Sequence, residues 1–237
     1  MDRLANALEL LDGPLDDQAA LAGNLRDLRR INRWLGGVRL SASGLTALAS
    51  GDNEPTMIDV GTGGADIPLE LVRRAARRGQ RLTITAVDSR QEVIAAAVRT
   101  QPALAVTPGL SLVVGDGLRL AEPDQAYDVA HCSLVLHHLE PRAAVDLLVE
   151  MARVARSGIV VNDLDRNPLA WLGAWLIGHV LTGNRYTRND APLSVRRAYR
   201  VPEVTDLLRA AGLTPIRTFH GFLGHRYAIV AVVRAPG

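Results

Sequence analysis

Residues 58 to 68 read "IDVGTGGADIP". An apolar run ends in an acid, and closely spaced glycines follow before the chain takes up helical spacing. The pattern describes a strand turning into a helix around a ligand that comes close to the main chain, because glycine keeps side chains out of the way. Free N–H groups at the start of such a helix favour an anionic group.

Outward from this turn, strands and helices alternate. Strands are expected at Thr56 to Val60, Leu82 to Val87, Leu110 to Val114, Tyr127 to Ser133 and Gly158 to Asp163, with helices at Pro68 to Arg78, Gln91 to Arg99 and Pro141 to Arg156. Repeated βα units imply an α/β fold: a parallel sheet with helices on both faces and ligands at the carboxyl ends of its strands. The apolar run "PLAWLGAWLIGHVLT" (168 to 182) is shorter than the about 20 residues of a membrane span and reads as a buried helix. A polar stretch, "GNRYTRNDAPLSVRRAYRVPEV", and a helix from Pro202 to Ala211 follow. The last two strands, "LTPIRTFHGF" and "HRYAIVAVVRA", are divided by a Leu-Gly turn and form an antiparallel hairpin. Ahead of the core, Leu21, Leu25, Leu28, Ile31 and Leu35 trace one helical stripe from Asp17 to Trp34, before a Gly36-Gly37 stop.

With 237 residues, 48% of them hydrophobic, the chain suits a single domain. An N-terminal helical cap is expected over 1–50, the ligand-binding core over 55–165, and a substrate-side helix, lid and hairpin over 166–237. The single cysteine, Cys132, excludes an intramolecular disulfide and argues against a structural zinc site. No lysine occurs, the formal net charge is +2, and the arginines are scattered, so no nucleic-acid partner is expected. The N-terminus "MDRLANALELLDG" has no signal-peptide core, and a cytoplasmic protein without a membrane span is expected. Monomer and homodimer both remain open.

Which ligand suits the turn follows from what surrounds it. A P-loop needs a lysine that this chain lacks, and a dinucleotide turn wants a small residue where Asp66 stands. S-adenosyl-L-methionine (SAM) carries no phosphate. Its carboxylate suits the helix N-terminus, and its ammonium suits Asp59. In "TAVDSR", Asp88 ends the next strand and can accept two hydrogen bonds from a ribose diol; in "LVVGDG", Asp116 is placed for an adenine amino group. "YDVAHCSLVLHHL" opens after Cys132-Ser133 into a loop facing the sulfonium.

Across about residues 55 to 165 these motifs resemble the class I SAM-dependent methyltransferases. Their first motif, an acid followed by G-x-G-x-G, appears as Asp59-Val60-Gly61-Thr62-Gly63-Gly64-Ala65, with Ala65 in place of the last glycine. The resemblance implies a ribose acid at Asp88, an adenine contact at Asp116 with Gly117, and a post-strand motif from His131 to His138. It also implies a Rossmann-like, seven-stranded, mostly parallel sheet with an antiparallel last strand. Cofactor contacts are expected at Asp59, Gly61, Thr62, Gly63, Asp66, Asp88, Ser89, Asp116, Gly117, Cys132 and Ser133, with S-adenosyl-L-homocysteine (SAH) as product. "INRWLGG", "NDLDRNPLAW" and "RNDAPLSVRRAYRVPEV" look like a bacterial small-molecule subgroup related to ubiquinone and menaquinone methyltransferases, often encoded beside polyketide synthases. That likeness implies methylation of a small phenolic or polyketide-like substrate, at oxygen or at carbon.

On the substrate side, His137 and His138 supply a general base or simply start a helix. Asp163 orients a substrate hydroxyl or, with Asp165, caps the helix at Pro168. Asp190, Arg196 and Arg197 belong to a lid or to a solvated loop; the arginines are also candidates for binding an acidic substrate. Trp171 and Trp175, one helical turn apart, wall an aromatic pocket or pack into the core or a dimer face. Apart from the adjacent His137 and His138, the six histidines show no metal-ligand spacing, so no metal is expected. O-methylation is the leading expectation. The rivals are a quinone-type C-methyltransferase and a non-catalytic module that holds SAM or SAH.

Overall fold

In the computed structural model, which describes residues 1–48 and 54–233, the apolar runs of the sequence become the strands of one sheet. These are β1 (Thr56–Val60), β2 (Thr83–Asp88), β3 (Leu110–Val114), β4 (Tyr127–Ser133), β5 (Ala155–Leu164), β6 (Leu213–His220) and β7 (Arg226–Val233). They lie in the order β3-β2-β1-β4-β5-β7-β6. Strands β1 to β5 pair in parallel, and β7 runs antiparallel to both β5 and β6, so six strands share one direction. The expected seven-stranded sheet is therefore the observed one. The outer ends of two expected segments, residues 49–50 of the cap and 234–235 of the last strand, lie outside the described residues.

Side chains alternate across a strand, so β1 serves two cores at once. Ile58 and Val60 join Leu147, Leu148 and Met151 of α5 (Pro141–Val154) and Val204 and Leu208 of α8 (Val201–Ala210). Met57 points the other way, toward Val38, Leu40 and Leu45 of α2 (Gly37–Leu48) and Ile67, Leu71 and Val72 of α3 (Asp66–Arg77). On that same side, Leu21 and Leu25 of α1 (Gln18–Trp34) pack with Val93 and Ala96 of α4 (Gln91–Thr100). Strand order reverses at β1, which has β2 on one side and β4 on the other. Ligands of open α/β sheets bind in the crevice at such a reversal.

Three expectations are corrected. Gly36-Gly37 does end α1, but α2 starts at once, and the sequence analysis had no helix there. Ser41 and Gly44 interrupt its buried aliphatic residues Val38, Leu40 and Leu45; a Cβ on Gly44 would stand 2.5 Å from Val160 Cγ1, so glycine sets how closely α2 approaches β5. The 168–182 run is not buried: it forms α6 (Pro168–Leu176) and a π-helical turn (Ile177–Leu181), with Leu172 47% and Leu181 75% exposed. The polar stretch is no loop but α7 (Arg185–Arg197), started by Asn184, whose side chain accepts from the Tyr186 and Thr187 N–H groups. Its Tyr186, Thr187, Asp190, Ser194, Val195 and Arg197 are the buried residues.

Candidate active site

The glycine turn is held to the tip of β2. Thr62 N–H donates to Val87 O (2.9 Å), and Gly63 N–H donates to Asp88 Oδ2 (2.8 Å). Gly61 and Gly63 have φ of +70° and +54°, and Ala65 adopts the same left-handed region at +50°, a conformation that costs an L-residue about 1–2 kcal/mol. A Cβ at Gly61 would lie 2.5 Å from Val135 Cγ2, whereas at Gly63 it would meet nothing within 4 Å. The Thr62 hydroxyl is buried with no hydrogen-bond partner. Open space at Gly63, an orphaned hydroxyl and the N-terminus of α3 fit the SAM expected there. Asp88 also accepts from Arg90 N–H (3.0 Å), and burial pushes its carboxyl up. Ser89 and Asp116 are exposed beyond the ends of β2 and β3, with Asp116 Oδ1 accepting from Leu118 N–H (2.9 Å). Gly117 packs on Val60, whose Cγ1 lies 2.6 Å from where a Cβ would be.

Beneath the turn runs a chain of buried polar groups. Asp59, 2% exposed, has Oδ1 2.5 Å from His131 Nδ1, its register partner on β4. His131 Nε2 lies 2.7 Å from Ser41 Oγ, which accepts from Asn162 Nδ2 (2.7 Å). Arg226 then donates to Asn162 Oδ1 (2.6 Å), Asn32 Oδ1 (2.7 Å) and Ser133 Oγ (2.7 Å). Asn32 Nδ2 closes the run on Asp66 Oδ2 at 3.1 Å. Burial pushes the Asp66 carboxyl up to about 6 and draws the Arg226 guanidinium down to about 10. Asp59 Oδ1 thus has the partner that a buried carboxylate needs. One expected side-chain contact is corrected here. Cys132 faces the core with Val60 and Leu136, and burial pushes its thiol well up, so its side chain does not face the cofactor.

The loop after β4 joins this turn to a cavity of about 440 Å³. Val135 packs on Gly61 while Leu134, His137 and His138 line the cavity, with Leu134 held at φ +58°. His137 Nδ1 lies 2.7 Å from Asp163 Oδ1. Burial opposes ionisation of Asp163, but the neighbouring His137 outweighs it and the carboxyl is held low. His138 Nδ1 lies 2.8 Å from Asp12 Oδ1, and Arg197 Nη1 donates to Asp12 Oδ2 (2.7 Å). Between the two histidines stands Glu9, 3.7 Å from His137 Nε2 and 3.9 Å from His138 Nε2. Burial pushes its carboxyl up to about 7. The ligand atoms of Glu9, His137 and His138 lie within 4.8 Å of one another, close enough to share a cation, and Arg197 Nη1, 3.5 Å from Glu9 Oε1, opposes one.

The remaining substrate-side candidates separate. Asp190 lines the cavity, but its carboxylate accepts from the N–H groups of Leu10 (2.8 Å) and Leu11 (3.1 Å), pinning the segment whose Glu9 and Leu11 also line it. Arg197 is committed to Asp12 and His138 O, and Arg196 is exposed and off the cavity wall, so recognition of an acidic substrate by this pair is corrected. Trp171 and Trp175 do not line the cavity either: α6 turns Leu169, Ala170, Gly173 and Ala174 toward it, and Trp175 stacks on His179 outside (4.6 Å). The cap of α6 is Asn167, not Asp163 or Asp165. Sequence reasoning missed Glu9, Asn24, His131, Asn162, His225 and Arg226; all but Asn24 lay inside quoted stretches, but no local pattern gave any of them a role of its own.

Residues 57–158 match the family model described as a methyltransferase domain. No protein of curated function matches the sequence. A SAM-dependent methyltransferase from Aquifex aeolicus is similar at TM-score 0.62 and 17% identity, covering 90% of this chain and 98% of its own. Magnesium protoporphyrin IX methyltransferase from Synechocystis, with bound SAH, gives 0.60 and 17%, covering 94% and 90%. An O-methyltransferase family 2 protein from Planctomyces limnophilus, in complex with apigenin, gives 0.63 and 17%, covering 93% of this chain and 62% of its own. The fold is the one these SAM-dependent methyltransferases share. Residues 57–158, which hold the glycine turn, match the methyltransferase domain. No helix among the described residues is long and apolar enough to cross a membrane.

Proposed function

We propose that this chain binds SAM at the glycine turn and methylates a hydroxyl of a small phenolic or polyketide-like molecule held in the cavity. The observation that carries the reading is the His137–Asp163 pair, 2.7 Å apart at the cavity wall. Bound SAM supplies a methyl group already activated on a sulfonium. The protein has to position the acceptor, take its proton and exclude water. An ionised Asp163 fixes the proton of His137 on Nδ1, which leaves Nε2 as the basic nitrogen. The acceptor hydroxyl gives its proton to that nitrogen, and Asp163 balances the imidazolium charge. Positioning lowers such a barrier by about 7–11 kcal/mol, and a base adds about 10²–10⁴-fold, so the turn and cavity contribute more than His137 does. The apigenin complex of the Planctomyces protein supports a phenolic acceptor.

A second reading, carbon methylation of a quinol with an apolar tail, is favoured by the exposed Leu169, Leu176, Phe222 and Leu223, all on the cavity lining. Labelled SAM with a panel of phenols and tailed quinols, read by mass spectrometry, separates the possibilities. An O-methyl product supports the proposal and a C-methyl product supports the second reading. SAM binding without product leaves a non-catalytic SAM-holding module.

A further inference from the structure

Four buried side-chain atoms among the described residues lack a hydrogen-bond partner: Thr62 Oγ1, Glu9 Oε1, Asn24 Oδ1 and His225 Nε2. Thr62 belongs to the cofactor turn. Glu9, Asn24 and His225 all line the cavity. Leaving a buried polar atom unpaired costs about 1–3 kcal/mol, so three on the lining of one cavity point to what fills it.

The neighbours of each atom fix its character. Asn24 Nδ2 donates to Thr187 Oγ1 (3.1 Å), and the single Thr187 hydroxyl proton goes to Asp27 Oδ2 (3.0 Å); the amide is thereby oriented with its oxygen unpaired. His225 Nδ1 lies 2.5 Å from Phe222 O, a carbonyl that can only accept, so Nδ1 carries the proton and Nε2 is bare. Glu9 Oε1, once ionised, accepts only. His137 and His138, with Nδ1 against carboxylates, turn acceptor nitrogens toward Glu9.

Donors around the cavity are already used. Arg226 donates to Asn162, Asn32 and Ser133, Arg197 to Asp12 and His138 O, and the Ser194 hydroxyl to Asp190 O (2.9 Å). Leu28, Ile31, Leu164, Ile177 and Val195 make the rest of the lining apolar. An acceptor-only lining in an apolar cavity is a filter for molecules that bring hydrogen-bond donors on a neutral frame.

We propose that the cavity selects a neutral aromatic bearing at least two hydroxyls. One is presented to His137 for methylation, and the other donates its single proton to one of the acceptors left unpaired at Asn24, His225 and Glu9. The proposal rests on the hydroxyl-methylation reading above and adds that the substrate is polyhydroxylated, uncharged and free of a carboxylate. A carboxylate or methyl ether in the second position would set acceptor against acceptor, and an ammonium, though it brings donors, would meet the Arg197 guanidinium that already faces Glu9 at 3.5 Å.

The test is binding by calorimetry at pH 8 with SAH present, alongside turnover with SAM, on size-matched probes. These are a monophenol, a 1,3-dihydroxyarene, its mono-methyl ether, a hydroxybenzoate and a hydroxybenzylamine, each with the same alkyl substituent. The dihydroxyarene should bind at least tenfold more tightly than the monophenol, the ether and the acid. In Asn24→Leu that preference should shrink several-fold, with SAH affinity and melting temperature showing that the fold survives. Glu9→Gln, which adds donors, should improve binding of the methyl ether relative to the diol. Equal binding of diol and monophenol, or preference for the acid or the amine, overturns the proposal. Selective diol binding without turnover leaves this inference standing and removes the methyl-transfer reading, whereas turnover without selectivity does the reverse.

Discussion

Asp163 Oδ1 stands 2.7 Å from His137 Nδ1, and both side chains are 2% exposed. The pair joins the tip of β5 to the loop after β4, so one carboxylate fixes both the tautomer and the position of the ring. Asp163→Asn keeps the size but can offer an N–H to Nδ1, which would move the ring proton to Nε2. Turnover is expected to fall by about 10²–10⁴-fold with SAM affinity unchanged, as followed by single-turnover kinetics and calorimetry. His137→Ala should lose a similar factor. Full activity in either variant would remove the dyad from the reaction.

Two neighbouring positions in the glycine turn separate strain from space. Gly63 and Ala65 are both left-handed, but the volume beside Gly63 is open. Gly63→Ala should cost stability only about 1–2 kcal/mol yet weaken SAM binding at least tenfold by filling the ligand's approach. Ala65→Gly should leave binding intact and, by relieving the strain, raise the melting temperature or leave it unchanged. Thermal melts and SAM titrations on both variants check this; a Gly63→Ala protein that binds SAM normally would place the cofactor elsewhere.

What was legible in the sequence is what a local pattern can carry. The strands Leu110–Val114 and Tyr127–Ser133 were readable to the residue because each is a short run rich in valine and other strand formers bounded by turn residues, even though Leu110–Val114 is a largely exposed edge strand. The acids and glycines at strand tips were readable because chain order places them at one end of a parallel sheet. Helix α2 was hidden by Ser41 and Gly44, which face the sheet where aliphatic residues are usual. The orientation of Trp171 and Trp175 was not encoded locally, because α6 is apolar on every side and marks no inward face. Glu9 was least legible: its role exists only because Asp190, 181 positions away, accepts from the main chain of Leu10 (|i−j| 180) and Leu11.

Arg226 is the junction of the polar chain beneath the turn, and its guanidinium reaches Asn162, Asn32 and Ser133 together. Removing one member of a buried charged network strands the others. Arg226→Met is therefore expected to cost about 3–5 kcal/mol, a large share of the about 5–15 kcal/mol that holds a typical domain folded. Urea unfolding measures this directly. A loss below about 1 kcal/mol would mean that water replaces the guanidinium at little cost.

Glu9 and Asp66 make stability fall as pH rises. Burial lifts Glu9 from 4.5 to about 7 and Asp66 from 3.8 to about 6. Below about pH 3 both are mostly protonated, folded or unfolded, and neither weighs on the balance. As pH climbs through their unfolded values the unfolded chain releases protons first, which favours unfolding until the folded carboxyls ionise near pH 6 to 7. At about 1.36 kcal/mol per unit, each group lowers stability by about 3 kcal/mol across that window. Asp12 and Asp163 are held low instead; their contribution is complete above the unfolded value of 3.8 and is lost only in stronger acid, so it does not mask the trend. Unfolding free energy should thus drop between about pH 4 and about pH 7, and Glu9→Gln should remove about half of the drop. A profile for Glu9→Gln that parallels the parent protein across this range would mean that Glu9 is hydrated rather than enclosed between His137 and His138.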